Sequence, residues 1–159
     1  RNQDDELALR IVRGGGRVWQ DARIRSSYAP RASYAALFRQ FWQYGYWKVA
    51  VIRKHRLPAA PRQLAPFALV ATLAMLAVAT FAWRPAGLAL GALIAIYGVA
   101  SLAAAAKAMS PVREPAAWLG VAWSFGCMHF GYGLGFARGL WDTLLRRGAA
   151  GDHATRLTR

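Results

Sequence analysis

Cysteine is nearly absent: Cys127 stands alone among 159 residues, so no internal disulfide and no cysteine-based zinc site can be built, and packing is its expected role. Acid is almost as scarce, with seven Asp and Glu against 21 Lys and Arg and a formal net charge of +14. The front of the chain lacks long charge-free runs. Although 56% of the residues are hydrophobic, every such run lies beyond residue 63. A single soluble core is rarely so segregated. The first residue is Arg1, and no basic start, short apolar run and small-residue cleavage site follow it. The sequence therefore reads as the C-terminal piece of something longer.

So many cations raise nucleic acid as a partner. Here they flank apolar segments without a nucleic-acid motif, which excludes that class and fits the anionic cytoplasmic face of a bilayer, where each contributes about 1 kcal/mol. Residues 64–83 and 85–106 carry no charge, and a hydrocarbon core of about 30 Å needs roughly 20 helical residues. Only Arg84 and Pro85 join them, which predicts a helical hairpin, with Gly87, Gly91 and Gly98 permitting close contact. Lys48, Arg53, Lys54, Arg56 and Arg62 before the first span, and Lys107 and Arg113 after the second, belong inside, leaving Arg84 outside.

A third apolar segment, 115–137, holds His129 and glycines at 120, 126, 131, 133 and 135. If it crosses, Arg138, Arg146, Arg147, Arg156 and Arg159 fall outside against the positive-inside rule. Either the segment is re-entrant or interfacial, which the charge favours, or the tail is an exception. The tail, 141–159, is polar and expected to be disordered. His129 reads more simply as a hydrogen-bonded histidine packed between helices than as a ligand, although polar groups at membrane depth merit suspicion.

In front of the membrane region, residues 4–13 form a helix with acids first and arginines last, as the helix dipole prefers. Gly14, Gly15 and Gly16 stop it. RVWQ and ARIRSSY alternate as two short strands around a turn at Asp21. From Ser33 to His55, apolar residues at 34, 37, 38, 41, 42, 49 and 52 give helical spacing, with Gly45 expected to mark a kink or break. A basic helix rich in Trp and Tyr suits the membrane interface; a soluble core helix is the alternative. Neither Gly14–Gly16 nor the glycines of GYGLG at 131–135 follow a strand and open a helix, so neither is a phosphate-binding loop.

The three acids Asp4, Asp5 and Glu6 stand together. A carboxylate at a helix start stays ionised and can accept a proton, though alone it is only a cap. Taken with the order RNQDDELALRI, GGRVWQDARIRSSYAPRASYAALFRQFWQYGYWKV and HFGYGLGFARGL, the sequence resembles the C-terminal half of family 2 glycosyltransferases, and within them the membrane-bound enzymes of exopolysaccharide assembly of the succinoglycan type. The resemblance covers nearly all of residues 1–140.

The resemblance implies an α/β fragment, the C-terminal part of a GT-A-type domain, over residues 1–32. An amphipathic interfacial region over 33–62 and a membrane region over 63–140 would follow. It implies Asp4 as general base, preceded by Gln3 where most relatives have Glu, with Asp5 its competitor and Glu6 in a structural or acceptor-binding place. Processive relatives carry Gln-x-x-Arg-Trp, a motif that contacts the acceptor and the donor pyrophosphate, where this chain has Gln43, Tyr46 and Trp47, so the resemblance implies an acceptor-binding role for these three and Lys48. Lys48 is the cationic substitute for the missing Arg, and Arg39 and Gln40 are secondary candidates. That departure favours addition of one sugar at a time.

The implied reaction is inverting transfer from a nucleotide-sugar donor to a polyprenyl-pyrophosphate-linked or polysaccharide acceptor at the cytoplasmic face of a bacterial inner membrane, by a multi-pass protein. A divalent metal, Mg or Mn, is implied for the complete enzyme, with its ligands upstream. Tyr28 stands where many enzymes of this fold have a metal-binding His, so no metal ligand is expected in this chain, and the chain alone is expected to be inactive. The rival reading is a membrane scaffold anchored by the hairpin, without chemistry.

Overall fold

The computed structural model describes residues 3–29, 31–56, 58, 60–109 and 114–145. Its five helices, in chain order, are α1 (Gln3–Arg13), α2 (Tyr34–His55), α3 (Ala65–Ala79), α4 (Arg84–Ala108) and α5 (Pro115–Leu145), with a 3₁₀ turn at Pro61–Leu64 leading into α3. The bulk of the expected tail, 146–159, and Arg113 lie outside the described residues.

α1 ends as its glycines dictate. Gly15 takes the left-handed conformation at φ 82°, the Gly16 amide donates to the Ile11 carbonyl at 2.9 Å and the Gly15 amide to Val12 at 3.1 Å. These two bonds satisfy carbonyls that a helix end otherwise leaves bare. α2 begins where Ser33, in extended conformation, accepts the Ala36 amide on its hydroxyl at 3.2 Å, a cap worth about 1 kcal/mol.

The expected α/β fragment is not found. Among the described residues there is no strand, and the segment between α1 and α2 is an irregular extended arm. Its turn forms as expected: the Ile24 amide reaches the Asp21 carbonyl at 3.1 Å and the Asp21 carboxylate receives the Arg23 amide at 2.9 Å and its guanidinium at 2.6–3.1 Å. The flanking stretches do not pair. Strand pairs are stabilised by burying one face, and here Trp19 is 88% exposed, with Val18, Ile24 and Tyr28 also exposed. Alternation supplied a face with nothing to bury it against.

The hairpin is found, with a first limb that ends earlier than expected, a second that runs longer, and a tip at 80–83 instead of at Arg84 and Pro85. α3 stops at Ala79, residues 80–83 turn, and Arg84 and Pro85 open α4, where proline's missing N–H costs nothing. Pro61–Ala79 and Arg84–Ala108 are long and apolar enough to cross a membrane, with mean hydropathy 1.6 and 2.1. Both are apolar all round and almost unburied within the chain, Phe81 at the tip being 94% exposed. That surface calls for an apolar solvent. α5, 31 residues long, is not among the helices that pass this test; it runs past the expected end at 137 through Arg138 to Leu145.

α2 does not break at Gly45 but continues as one helix packed along α5. Gly131, Gly135 and Gly139 recur one turn apart on α5, and the carbonyls of Phe38, Trp42 and Tyr46 on α2 occupy the places their Cβ atoms would take. Reciprocally, the Tyr132 carbonyl fills the Cβ place of Gly45. Residue numbers rise together on both helices, so the seam is parallel, and small residues let the backbones touch. On another face of α5, Gly133 meets Pro66 and Val70 of α3 and Phe136 meets Phe67 at 4.9 Å. Tyr97 of α4 bonds His129 Nδ1 through its hydroxyl at 2.9 Å. α5 is the element on which α2, α3 and α4 converge.

Candidate functional site

α1 is fastened across the end of α2. Glu6 Oε1 accepts from Lys54 Nζ at 2.7 Å and pairs with His55 Nε2 at 3.1 Å, while Glu6 Oε2 lies 3.5 Å from Arg10. Arg13 donates to the His55 carbonyl at 2.7 Å, covering a carbonyl of the last helical turn. The hydrogen bonds from Lys54 and then His55 hold the Glu6 carboxyl below the usual carboxylate range. With Glu6 turned to α2, Asp4 is left at a cavity of about 510 Å³.

Four elements besides α1 wall that cavity. α2 contributes Phe41, Tyr44 and Lys48, the 3₁₀ turn Arg62 and Gln63, α3 Pro66 and α5 Tyr132. Lys48 is only 7% exposed, and a buried cation holds a strong local potential. The Gln63 side-chain oxygen is shielded from solvent and has no hydrogen-bond partner among the described residues. One carboxylate, two cations, an amide and two phenols thus face a single space. Cations of this kind neutralise phosphate oxygens, and a carboxylate beside them can take a proton.

The sequence-predicted residues divide. Asp4 and Lys48 come together here. Tyr46 goes elsewhere: its hydroxyl donates to Asp142 Oδ2 of α5 at 3.1 Å and its ring stacks on Trp42 at 5.5 Å. Neither Gln43 nor Trp47 lines the cavity. Trp47 meets Tyr46 edge-on, and its indole nitrogen and the Gln43 side-chain oxygen are shielded without a hydrogen-bond partner among the described residues. Gln40 accepts from Arg31 at 3.2 Å and donates to Tyr44 at 2.8 Å, one step behind the wall. Arg39 is exposed, and the Asp5 side chain lies outside what the structure describes.

Arg62, Gln63, Tyr44 and Tyr132 are wall residues that the motif reading did not single out. Arg62 had a signal only as a membrane-flanking charge, and Tyr132 only as part of a glycine-rich packing stretch. Among the described residues no three His, Cys, Asp or Glu side chains cluster as a metal site.

The chain is similar to "Succinoglycan biosynthesis protein ExoA" of Rhizobium meliloti (strain 1021), with 31% identity over 144 residues. The match takes in 89% of this chain and 41% of that protein, so the chain spans about two fifths of its relative's length. This bears out the resemblance to proteins of succinoglycan biosynthesis read from the motifs. No protein-family model matches the chain, and no solved structure matches it significantly.

Proposed function

We propose that the chain forms part of a membrane-bound glycosyltransferase of exopolysaccharide biosynthesis, of the family 2 type, that works at the cytoplasmic face. The observation that carries this reading is the meeting of Asp4, Lys48 and Arg62 in one cavity beside a helical hairpin apolar enough for a membrane.

In the proposed reaction the acceptor hydroxyl oxygen attacks the anomeric carbon of a nucleotide sugar. The new glycosidic C–O bond forms as the bond from that carbon to the nucleoside diphosphate breaks, with inversion. Asp4 takes the hydroxyl proton, and the nucleoside diphosphate leaves with the bonding pair. Lys48 and Arg62 hold a pyrophosphate by charge-assisted bonds, which suits the diphosphate of the donor or of a polyprenyl-linked acceptor. The described residues offer no ligand cluster for the Mg or Mn that the family resemblance implies, so no step is assigned to a metal.

The test is transfer from a nucleotide sugar to a lipid-linked acceptor in membranes carrying the full-length protein. Asp4→Asn removes the base and lowers turnover by roughly 10²–10⁴-fold, with membrane insertion unchanged. Full activity in that variant would remove Asp4 from the chemistry and leave the hairpin scaffold as the better reading.

A further inference from the structure

α1 is held to α2 at two points. Near its start, Glu6 accepts from Lys54 Nζ at 2.7 Å and pairs with His55 Nε2 at 3.1 Å. At its last residue, Arg13 donates to the His55 carbonyl at 2.7 Å. Leu7, Ile11 and Val12, between these points, are exposed, so apolar packing of those side chains adds little to the hold. Both Glu6 oxygens are engaged, one by Lys54 and His55, the other with Arg10 at 3.5 Å. With its side chain only 15% exposed, Glu6 is placed to fix the helix and not to take a proton from a substrate. Asp4, by contrast, lies at the charged cavity, two residues before Glu6 and nine before Arg13.

A helix rises about 1.5 Å per residue, so along the axis Asp4 stands about 3 Å from the Glu6 pin and about 13 Å from the Arg13 pin. The two pins are therefore unequal. Freed at Arg13, α1 pivots at Glu6, and a tilt of about 10° moves Asp4 by about 0.5 Å. Freed at Glu6, it pivots at Arg13, and the same tilt moves Asp4 by about 2 Å. We propose that Glu6, seated on Lys54 and His55, is a positioning residue of the transfer reaction, the fulcrum that keeps the Asp4 carboxylate at the cavity it shares with Lys48. Lys48 and the seat of Glu6 both belong to α2, so one helix sets the spacing between base and cation. The kinetic role rests on the reading of Asp4 as base; the unequal pins do not.

Two measurements test it. In the full chain in phosphatidylcholine vesicles, with Cys127→Ala removing its one native thiol, spin labels at Asp4→Cys and at Arg39→Cys, both exposed places, report the spacing of α1 and α2. One narrow distance distribution is expected. Glu6→Ala broadens it, whereas Arg13→Ala leaves it close to its native width. Lys54→Met, which loosens the same pin from the α2 side, broadens it too and decides the matter where a Glu6 variant fails to fold. No broadening by Glu6→Ala, or equal broadening by Arg13→Ala, overturns the fulcrum. In membranes carrying the full-length protein, Glu6→Ala lowers kcat by about 10–100-fold with KM unchanged, the scale of a misplacement of about 1 Å, and Arg13→Ala lowers it by less than about threefold. In an Asp4→Asn background Glu6→Ala lowers turnover no further, because it acts through Asp4 alone. A full further loss there means general destabilisation and overturns the positioning role. Full activity in Asp4→Asn by itself would remove the base while the label distances still report the pin, so the two failures are told apart.

Discussion

The carbonyl oxygen of Trp42 lies where a Cβ of Gly135 would have to be. The two helices are in backbone contact there, and neither can retreat without opening the neighbouring contacts at Gly131 and Gly139. Gly135→Ala should therefore destabilise the chain by about 1–3 kcal/mol, the usual cost of overpacking. Gly91→Ala, whose Cβ meets nothing, should be neutral or gain slightly in helix propensity. Thermal unfolding in detergent compares them, and equal midpoints would mean the seam does not exist.

Lys48 and Trp47 are neighbours in sequence but only Lys48 faces the cavity. In the full-length protein, Lys48→Met should lower kcat/KM by about tenfold or more, the scale of one lost charge-assisted bond, and Arg62→Met similarly. Trp47→Ala should act mainly on stability. A larger kinetic loss from Trp47→Ala than from Lys48→Met would return the acceptor contact to the tryptophan.

The Glu6 clasp carries a pH dependence of known sign. Its carboxyl titrates below the ordinary 4.5 in the folded chain because Lys54 and His55 hydrogen-bond the ionised form. The stabilisation is thus fully present above that ordinary value and is lost as pH falls through the depressed one. Hydrogen exchange of α1 amides should accelerate below about pH 4.5, after correction for the intrinsic rate. Glu6→Gln should exchange fast already at pH 7 and show no such step. Lys54 and Arg10 are solvent-exposed, while His55 is not, so high salt should weaken the lysine and arginine pairs of the clasp as well.

The hairpin should resist extraction by high salt and by alkaline carbonate and be released by detergent. In a Cys127→Ala background, Phe81→Cys should react with an impermeant maleimide from the side opposite to Arg62→Cys, as a single hairpin requires. Reaction of both from one side would place the hairpin on the surface instead.

Local signals were readable in the sequence where the physics is local. The glycine stop after Arg13, the helix starting beside Ser33 and the two apolar limbs each depend on neighbours a few residues away, and each is found. The strands failed because alternation at Val18, Trp19 and Ile24 announces a face to be buried without saying whether the chain supplies the burying surface. Gly45 was misread for a related reason. A glycine inside a helix looks like a weakness until the partner backbone is known, and that partner, α5, lies beyond two intervening helices. In the site, Asp4 and Lys48 were singled out by the family resemblance and are found lining one cavity, whereas Arg62 and Tyr132 became wall residues only through the tertiary arrangement.

The parallel seam also orders events during synthesis. Tyr46 and its partner Asp142 are 96 residues apart, and both limbs of the hairpin lie between them. As the chain leaves the ribosome, α2 emerges first with one side of its backbone bare, and its mate is not made until the hairpin is complete. Closure of the α2–α5 pair then draws Phe41, Tyr44 and Lys48 against Tyr132. A protein halted before α5 would already possess its apolar hairpin and both cations of the cavity, Lys48 and Arg62, and would still lack the Tyr132 wall that closes the space around them.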